Sequence, residues 1–222
     1  KKDLARFGAN GMYILNASTG AIMTLIGAAA LVIYRGSLAA FLGLLPEGTA
    51  AALACLALCF LAAMNLITAP SISLEGKTLW LLKSLPVPAH RLLFAKAALH
   101  MAVAAPPSLI GSVVCCACLP LSAPEAAAVV LLPALMNLFG ALLGLSVNLR
   151  WPKFDYINET AVIKNSASVA ITMFASWAVL AAPAILYGAA LHRVMPAYLF
   201  LLVCAAALAA ACAALASGLR RR

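Results

Sequence analysis

The most recognisable chemical group in this chain of 222 residues is Gly76-Lys77-Thr78. Gly-Lys-Thr ends the phosphate-binding loop of many nucleotide hydrolases, where backbone amides and the lysine hold the phosphates. That loop needs another glycine five residues before Gly76, but Ser71 stands at this position. The residues before Ser71 end a long apolar run, whereas a phosphate-binding loop follows a buried strand. We therefore predict that the chain itself binds no nucleotide.

Acid and base catalysis is the second chemistry that these side chains suggest. Asp155 and Glu159 share one polar segment, and His90 and His100 lie elsewhere in the chain. Two carboxylates without a neighbouring histidine, a metal-ligand spacing or a nucleophile do not define an enzyme site. All seven cysteines fall inside apolar runs, which favours packing between helices over metal or disulfide chemistry. The sequence therefore predicts no catalytic residue, no metal site and no bound cofactor.

The composition describes the environment in which any function is performed. The chain is 66% hydrophobic and 9% charged, whereas soluble domains are about 45–50% apolar and about 25% charged. This composition is typical of a protein whose solvent is mostly lipid. The net charge of +9 is dispersed between apolar runs, so nucleic acid is not predicted as a partner.

Apolar runs long enough to cross a bilayer, which takes about 20 residues, occur six times. They are far longer than barrel strands and do not alternate, so they predict helices. The expected fold is an all-α integral membrane protein with one transmembrane domain of six helices. The predicted spans are 13–34, 50–70, 97–119, 126–148, 166–190 and 197–217.

Positive charges indicate how these helices are oriented. Thirteen of the 15 lysines and arginines lie near the N-terminus, in or beside the connections 71–92 and 149–165, or at the C-terminal end. Only Arg35 and Arg193 lie in the other connections. Because cytoplasmic loops carry the excess of lysine and arginine, both ends and both polar loops are predicted to be cytoplasmic.

Few polar side chains fall inside the spans. Lys96 is expected to snorkel from the edge of the third span, which leaves no acidic or basic side chain at mid-membrane depth. Ion-coupled transporters usually place such groups in the bundle. We expect hydrogen bonds between helices from the asparagines instead. These are Asn16, Asn65, Asn137 and Asn148.

The residues around Gly76 are better explained by a short amphipathic helix over 74–85. Ser73 is a suitable N-cap, Glu75 suits the positive end of the helix dipole, and Pro86 ends the element. Trp80 and Lys83 then share one face. Two interpretations remain open at this point. The helix either lies in the lipid headgroup layer or offers a docking surface to a cytoplasmic partner.

The stretch EGKTLWLLKSLPVPAHRLLFAK resembles the first cytoplasmic loop of type-two ATP-binding-cassette (ABC) exporter permeases. The opening KKDLARFGANGMYILN is similar to the elbow helix of that family, here 1–12. NLRWPKFDYINETAVIKNSAS resembles the loop after span four in larger two-half permeases. The connection LHRVMP is shorter than the re-entrant outer segment of many members. The matching positions of the first loop are Glu75, Gly76, Thr78, Leu79, Leu85, Pro86, Val87 and Lys96.

The resemblance implies a permease subunit that couples export to ATP hydrolysis by a separate cytoplasmic ATPase subunit. It implies the C-terminal half of a larger permease in a bacterial plasma or inner membrane. The further partners are a second permease half or a second copy of this chain, and membrane lipids. The loop 71–92 would carry a coupling helix that docks on the ATPase. The expected docking residues are Glu75, Gly76, Lys77, Thr78, Trp80, Lys83, Leu85 and Pro86, with Asp155 and Glu159 as secondary contacts.

Two other functional classes remain as alternatives. An integral-membrane enzyme acting on lipids would use polar groups at the cytoplasmic interface, such as His90, His100 and the two acids of the second loop. A gradient-driven transporter would need an ionisable group in the bundle.

Overall fold

In the computed structural model, residues 2–9, 11–42, 44, 46, 48–78, 84, 86–156 and 158–221 are described. Every regular element within these residues is helical. Short 3₁₀ helices occupy Ser73–Thr78 and Leu191–Arg193. The α-helices are α1 (Lys2–Ala9), α2 (Gly11–Ala17), α3 (Thr19–Ile33), α4 (Arg35–Leu42), α5 (Thr49–Ala63), α6 (Ala89–Cys118), α7 (Ala123–Arg150), α8 (Glu159–Asn165), α9 (Ala167–Ala189) and α10 (Ala197–Arg220).

Helix α7 is the centre of the bundle. It packs against α5, α6, α9 and α10, and 56% of its most apolar stretch is buried, against 28% or less in the other long helices. Among the described residues, α6, α7, α8 with α9, and α10 are each long and apolar enough to cross a membrane. The predicted third to sixth spans therefore correspond to long apolar helices, and the protein is an all-helical, membrane-type structure.

Local capping explains where these helices begin. Glu125 accepts hydrogen bonds from both the N–H and the hydroxyl of Ser122, at 2.9 and 2.7 Å, which forms a capping box before α7. The Asn158 side chain accepts from Thr160 N–H at 2.6 Å and caps α8. Each cap satisfies an amide that the first turn of a helix leaves without a partner.

The first predicted span, 13–34, is not one straight helix. Helices α2 and α3 meet at Ser18 with a bend of 67°. A continuous helix would join Ala21 N–H to the Ala17 carbonyl. Instead, Ala21 N–H donates to Asn65 Oδ1 at 2.9 Å, and the Ala17 carbonyl accepts from Leu66 N–H at 2.8 Å. The bend is therefore stabilised by two hydrogen bonds to the segment after α5.

The second predicted span, 50–70, is also not one regular helix. Helix α5 has 15 residues, about 22 Å of helix, and stops at Ala63. The chain then continues through 64–72 without a regular α-helix, although most of these residues are buried. Pro70 cannot donate a backbone hydrogen bond and disfavours helical geometry in the residue before it, so it opposes a regular helix at the end of this stretch, seven residues after α5 stops. Irregular backbone at membrane depth is tolerated where protein surrounds it.

Two glycines permit the close packing around this segment. A Cβ atom at Gly20 would lie 1.8 Å from the Leu61 carbonyl oxygen, so α3 and α5 approach each other more closely than an alanine would allow. A Cβ atom at Gly144 of α7 would lie 2.7 Å from Thr68 Oγ1. The glycine of GALLG that matters for packing is therefore Gly144, since a Cβ atom at Gly140 would have its nearest contact at 4.0 Å.

A second apolar cluster lies apart from the main core of α5, α6, α7 and α10. It joins α1, α2, α8 and the segment after α5. The Phe7 and Tyr13 rings meet edge to face at 5.1 Å, and the Tyr13 hydroxyl donates to the Ile67 carbonyl at 2.8 Å. The N-terminal helices therefore pack onto the same region as the predicted coupling loop. The buried residues of this cluster are Phe7, Tyr13, Ala17, Ile67, Leu74, Val162 and Ile163.

Candidate functional site at residues 65–78

The predicted coupling helix begins as a 3₁₀ helix, Ser73–Thr78, and not as a regular α-helix over 74–85. Gly76 inside it has non-helical dihedral angles, with φ at 12° and ψ at −91°. Ser73 does not act as the expected N-cap, because its hydroxyl is used by residues of the second loop and α7. Trp80, Lys83 and Leu85 lie outside the described residues, as does the side chain of Lys77.

Glu75 faces the protein interior. Its side chain is 2% exposed, and its Oε1 accepts a hydrogen bond from Lys96 Nζ of α6 at 2.8 Å. Its Oε2 accepts from the Thr78 hydroxyl at 3.2 Å. Lys96 also donates to the Ser71 carbonyl at 3.3 Å and is buried, so the prediction that it snorkels to the membrane surface is wrong. The attraction between the two charges explains both placements.

Asn148 of α7 connects the same turn to the centre of the bundle. Its Oδ1 accepts from the N–H groups of Ile72 and Ser73, at 2.8 and 3.0 Å. Its Nδ2 donates to the hydroxyls of Ser73 and Ser168, at 2.7 and 3.0 Å. Asn148 is fully buried. One side chain therefore joins the turn to α7 and to the first turn of α9.

The second polar loop contacts the first. Lys153 N–H donates to the Ser73 hydroxyl at 2.9 Å, and the Tyr156 hydroxyl donates to the Leu74 carbonyl at 3.1 Å. A Cβ atom at Gly76 would be in van der Waals contact with the Tyr156 ring, at 3.4 Å. The loops 71–92 and 149–165 therefore meet at one end of the bundle.

The other predicted docking residues have different exposures. Pro86 and Asp155 are exposed, whereas Gly76, Thr78 and Glu159 are half-buried. Glu159 lies in the first turn of α8, beside the cap described above. The structure brings Gly76 beside Tyr156 of the second loop and Thr78 beside Glu75, but Glu75 itself is buried.

Two exposed aromatic side chains at this end of the bundle were missed by the sequence reasoning. Trp151 is 51% and Phe154 41% exposed. The available signal was their type, because two large aromatic residues in a polar RWPKFD loop are typical of an interface. Asn148 was expected only to bridge helices. Its bonds to the turn join residues that are 75 positions apart in the chain, so no local sequence pattern indicates them.

The asparagine prediction is confirmed at three of four positions. Asn65 Nδ2 donates to Asn137 Oδ1 at 3.0 Å, and Asn137 Nδ2 donates to the Ser108 hydroxyl at 2.7 Å. Asn148 bridges elements as described above. Asn16, in contrast, donates to the Met12 carbonyl of its own helix at 2.7 Å.

A buried histidine lies close to this polar chain. His100 is 0% exposed and its Nδ1 lies 3.5 Å from Thr68 Oγ1. Its Nε2 has no hydrogen-bond partner within the described residues. His100 stands one helical turn after Lys96, so α6 carries two buried ionisable side chains on one face.

The contacts of this region join a turn to two long helices, which favours transmission of movement over catalysis of a reaction. The described part of the chain contains no group of three or more histidine, cysteine or carboxylate side chains that could hold a metal ion. The turn 71–78 is instead tied to α6 by Lys96 and to α7 by Asn148. Comparison of the chain with protein-family models, with curated proteins and with solved structures gave no match.

Proposed function

We propose that this chain is the membrane-spanning permease subunit of an ABC-type exporter, in which a separate cytoplasmic ATPase subunit hydrolyses ATP. The observation that carries the proposal is the attachment of the 71–78 turn to α6 and α7 through Lys96 and Asn148. A coupling segment must transmit displacement to the spans. A turn joined to two long helices by buried polar bonds meets this requirement.

Within this proposal, Glu75 transmits the displacement and does not touch the ATPase. Its carboxylate is engaged by Lys96 and Thr78. The ATPase contacts are assigned to the outward part of the loop, with Trp80 as the aromatic anchor and Lys83 as its flanking charge. Aromatic anchors dominate many interfaces. Asp155 belongs to the same surface, because the two loops meet.

The proposed topology has six spans with both ends in the cytoplasm. The bent pair α2 and α3 forms the first span, and α5 with the irregular residues 64–72 forms the second. The four long helices complete the set. The contact between the loops supports this topology, since the positive-inside rule assigns both to one side. The apolar outer surface of α9 suits lipid, or the second permease half of a two-half exporter.

The test is copurification with a cassette ATPase, which the proposal expects a neighbouring reading frame to encode. We expect the wild-type chain in vesicles to bind that subunit and to raise its rate of ATP hydrolysis. Trp80→Ala should lose copurification because the anchor is gone. Glu75→Gln should keep copurification and lose the stimulation, because binding and transmission are separate. Arg35→Ala, predicted to lie on the opposite side, serves as the control.

The possible outcomes separate three parts of the proposal: the permease function, the docking surface and the transmission role of the buried pair. If no ATPase binds or is stimulated by the wild-type chain, the permease function is wrong. If Trp80→Ala binds and stimulates like the wild type, the docking surface is wrong. If Glu75→Gln stimulates fully, the transmission role of the buried pair is wrong.

A proton-driven transporter is the second candidate, and the buried His100 favours it. Its Nε2 has no hydrogen-bond partner within the described residues, and His100 stands one turn from Lys96 of the buried pair, so three buried ionisable groups lie at this end of α6. In proteoliposomes without ATP, this candidate requires a proton flux driven by a pH gradient and abolished by His100→Gln. The lipid-modifying enzyme gains no comparable support within the described residues.

A further inference from the structure

The ends of two long helices form a cleft that the proposed transport function does not use. Helix α6 begins at Ala89 and α10 ends at Arg220, and between these ends lies a cleft of about 490 Å³. Its lining includes His90, Phe94 and Arg220. Volumes of about 300–1,000 Å³ are typical of sites for small ligands.

The cleft is positively charged. Arg220 extends over the Phe94 ring, with its Cζ 5.8 Å from the ring centroid. Arg91 and Arg221, next to the lining residues, are exposed. Within the described residues, neither Arg220 nor His90 forms an ion pair with a carboxylate. Within the part of the chain that the structure describes, no neighbouring carboxylate therefore neutralises the charge of Arg220.

The beginning of α6 adds to this field. The helix has no side-chain N-cap, because Pro88 precedes it, and its first turn contains no acidic residue. The positive end of the helix dipole beside His90 therefore has no compensating acidic side chain in the first turn of the helix. Free amides and a positive dipole at a helix start favour phosphate and other anions.

An apolar stripe leads from the cleft along α6. His90, Phe94 and Ala98 are spaced by four residues and so lie on one face, which Met101 continues three residues later. Ala98 is exposed and Met101 is half-buried, so part of this stripe is open to a ligand. Both helices are candidate membrane spans, which places the cleft where a bilayer meets water. A ligand with an anionic head and an apolar tail matches this order of side chains.

We propose that this cleft binds the phosphate headgroup of an anionic phospholipid. Arg220 and the start of α6 hold the phosphate, and the face from Phe94 to Met101 contacts the acyl chain. The site is independent of the proposed ATPase docking, because its lining residues belong to other segments than the coupling turn. Basic pockets between spans are known to bind anionic headgroups.

The test counts lipids bound to the full chain in a neutral detergent by native mass spectrometry. Phosphatidylglycerol and phosphatidylcholine with identical acyl chains are compared. We expect the wild type to prefer phosphatidylglycerol. Arg220→Ala should lower the affinity for phosphatidylglycerol about fivefold, the effect of about one basic residue at a membrane surface. Arg220→Lys should stay within about twofold of the wild type, because the charge is retained.

The matched control is Arg193→Ala, which removes an arginine near the other end of α10. It should leave the lipid preference unchanged. Circular dichroism and a monodisperse elution profile show that each variant is folded. Equal binding of the two lipids by the wild type, or an equal loss in Arg193→Ala, would overturn the proposal. Displacement of phosphatidylglycerol by an equal concentration of inorganic phosphate would assign the site to a soluble anion and overturn the lipid assignment.

Discussion

Removing one charge of the Glu75–Lys96 pair tests the central connection of the structure. The two side chains are 2% and 8% exposed, so neither can regain water when its partner is lost. Glu75→Gln retains the shape of the side chain but removes the carboxylate that faces the Lys96 ammonium. Lys96→Met removes the ammonium that faces the carboxylate. Each variant therefore breaks the buried ion pair from one side.

The expected loss of stability follows from the burial of the two side chains. Breaking a buried ion pair from one side costs about 3–5 kcal/mol. The double variant Glu75→Gln with Lys96→Met removes both charges of the pair, so it should cost less than the sum of the two single changes. We expect a coupling energy of about 3 kcal/mol, the upper end for residues of one polar network. For a protein of this size, about 3 kcal/mol corresponds to a Tm shift of about 6–12 °C.

The assay is thermal unfolding in detergent, followed by circular dichroism, for the wild type, both single variants and the double variant. Asp155→Asn removes an exposed acid of the neighbouring loop and should change the stability by less than about 0.5 kcal/mol. The differences should persist between about 0.1 and about 1 M salt, because buried charges are poorly screened. Additive single effects, or single effects below about 1 kcal/mol, would refute the buried pair.

Two further changes test the packing around the irregular segment, again by thermal unfolding. Gly20→Ala should destabilise the protein by about 1–3 kcal/mol, because its Cβ would meet the Leu61 carbonyl at 1.8 Å. Gly27→Ala meets no atom within 4 Å and should be neutral or stabilising by up to about 1 kcal/mol; equal effects would contradict the close approach. Asn148→Ala should cost about 2–5 kcal/mol, because it leaves two buried amides without acceptors. A loss below about 1 kcal/mol would show that Asn148 does not hold the turn.

The long helices could be predicted from sequence because hydropathy is a local property. Helices α6, α7, α9 and α10 each contain an uninterrupted apolar run, and no distant residue is needed to explain them. The first two spans differ because their geometry depends on distant partners. Asn16, Ser18 and Thr19 signal a weak point in the first span, yet the bend is fixed by residues 65 and 66.

The position of Glu75 and Lys96 in the chain could be singled out from the sequence, but the direction in which the Glu75 side chain faces could not. The resemblance to exporter permeases singled out both Glu75 and Lys96, and the charge pattern predicts that the loop is cytoplasmic. Whether Glu75 faces outward or inward depends on Lys96, which lies 21 residues later in the chain and donates to it across the turn. Trp80, Lys83 and Leu85 stay predictions.

The bonds from Ala17 and Ala21 to residues 65–66 also bear on how the first two segments mature during synthesis. When the first apolar segment leaves the ribosome, residues 65–66 have not yet been synthesised. Its backbone groups then have only each other as partners in lipid, so the segment should enter the membrane as a straight helix. It bends when the second segment arrives and exchanges those bonds. We therefore expect the two segments to mature as a pair, and a nascent chain that ends before Asn65 to expose an unbent precursor to the insertion and quality-control machinery.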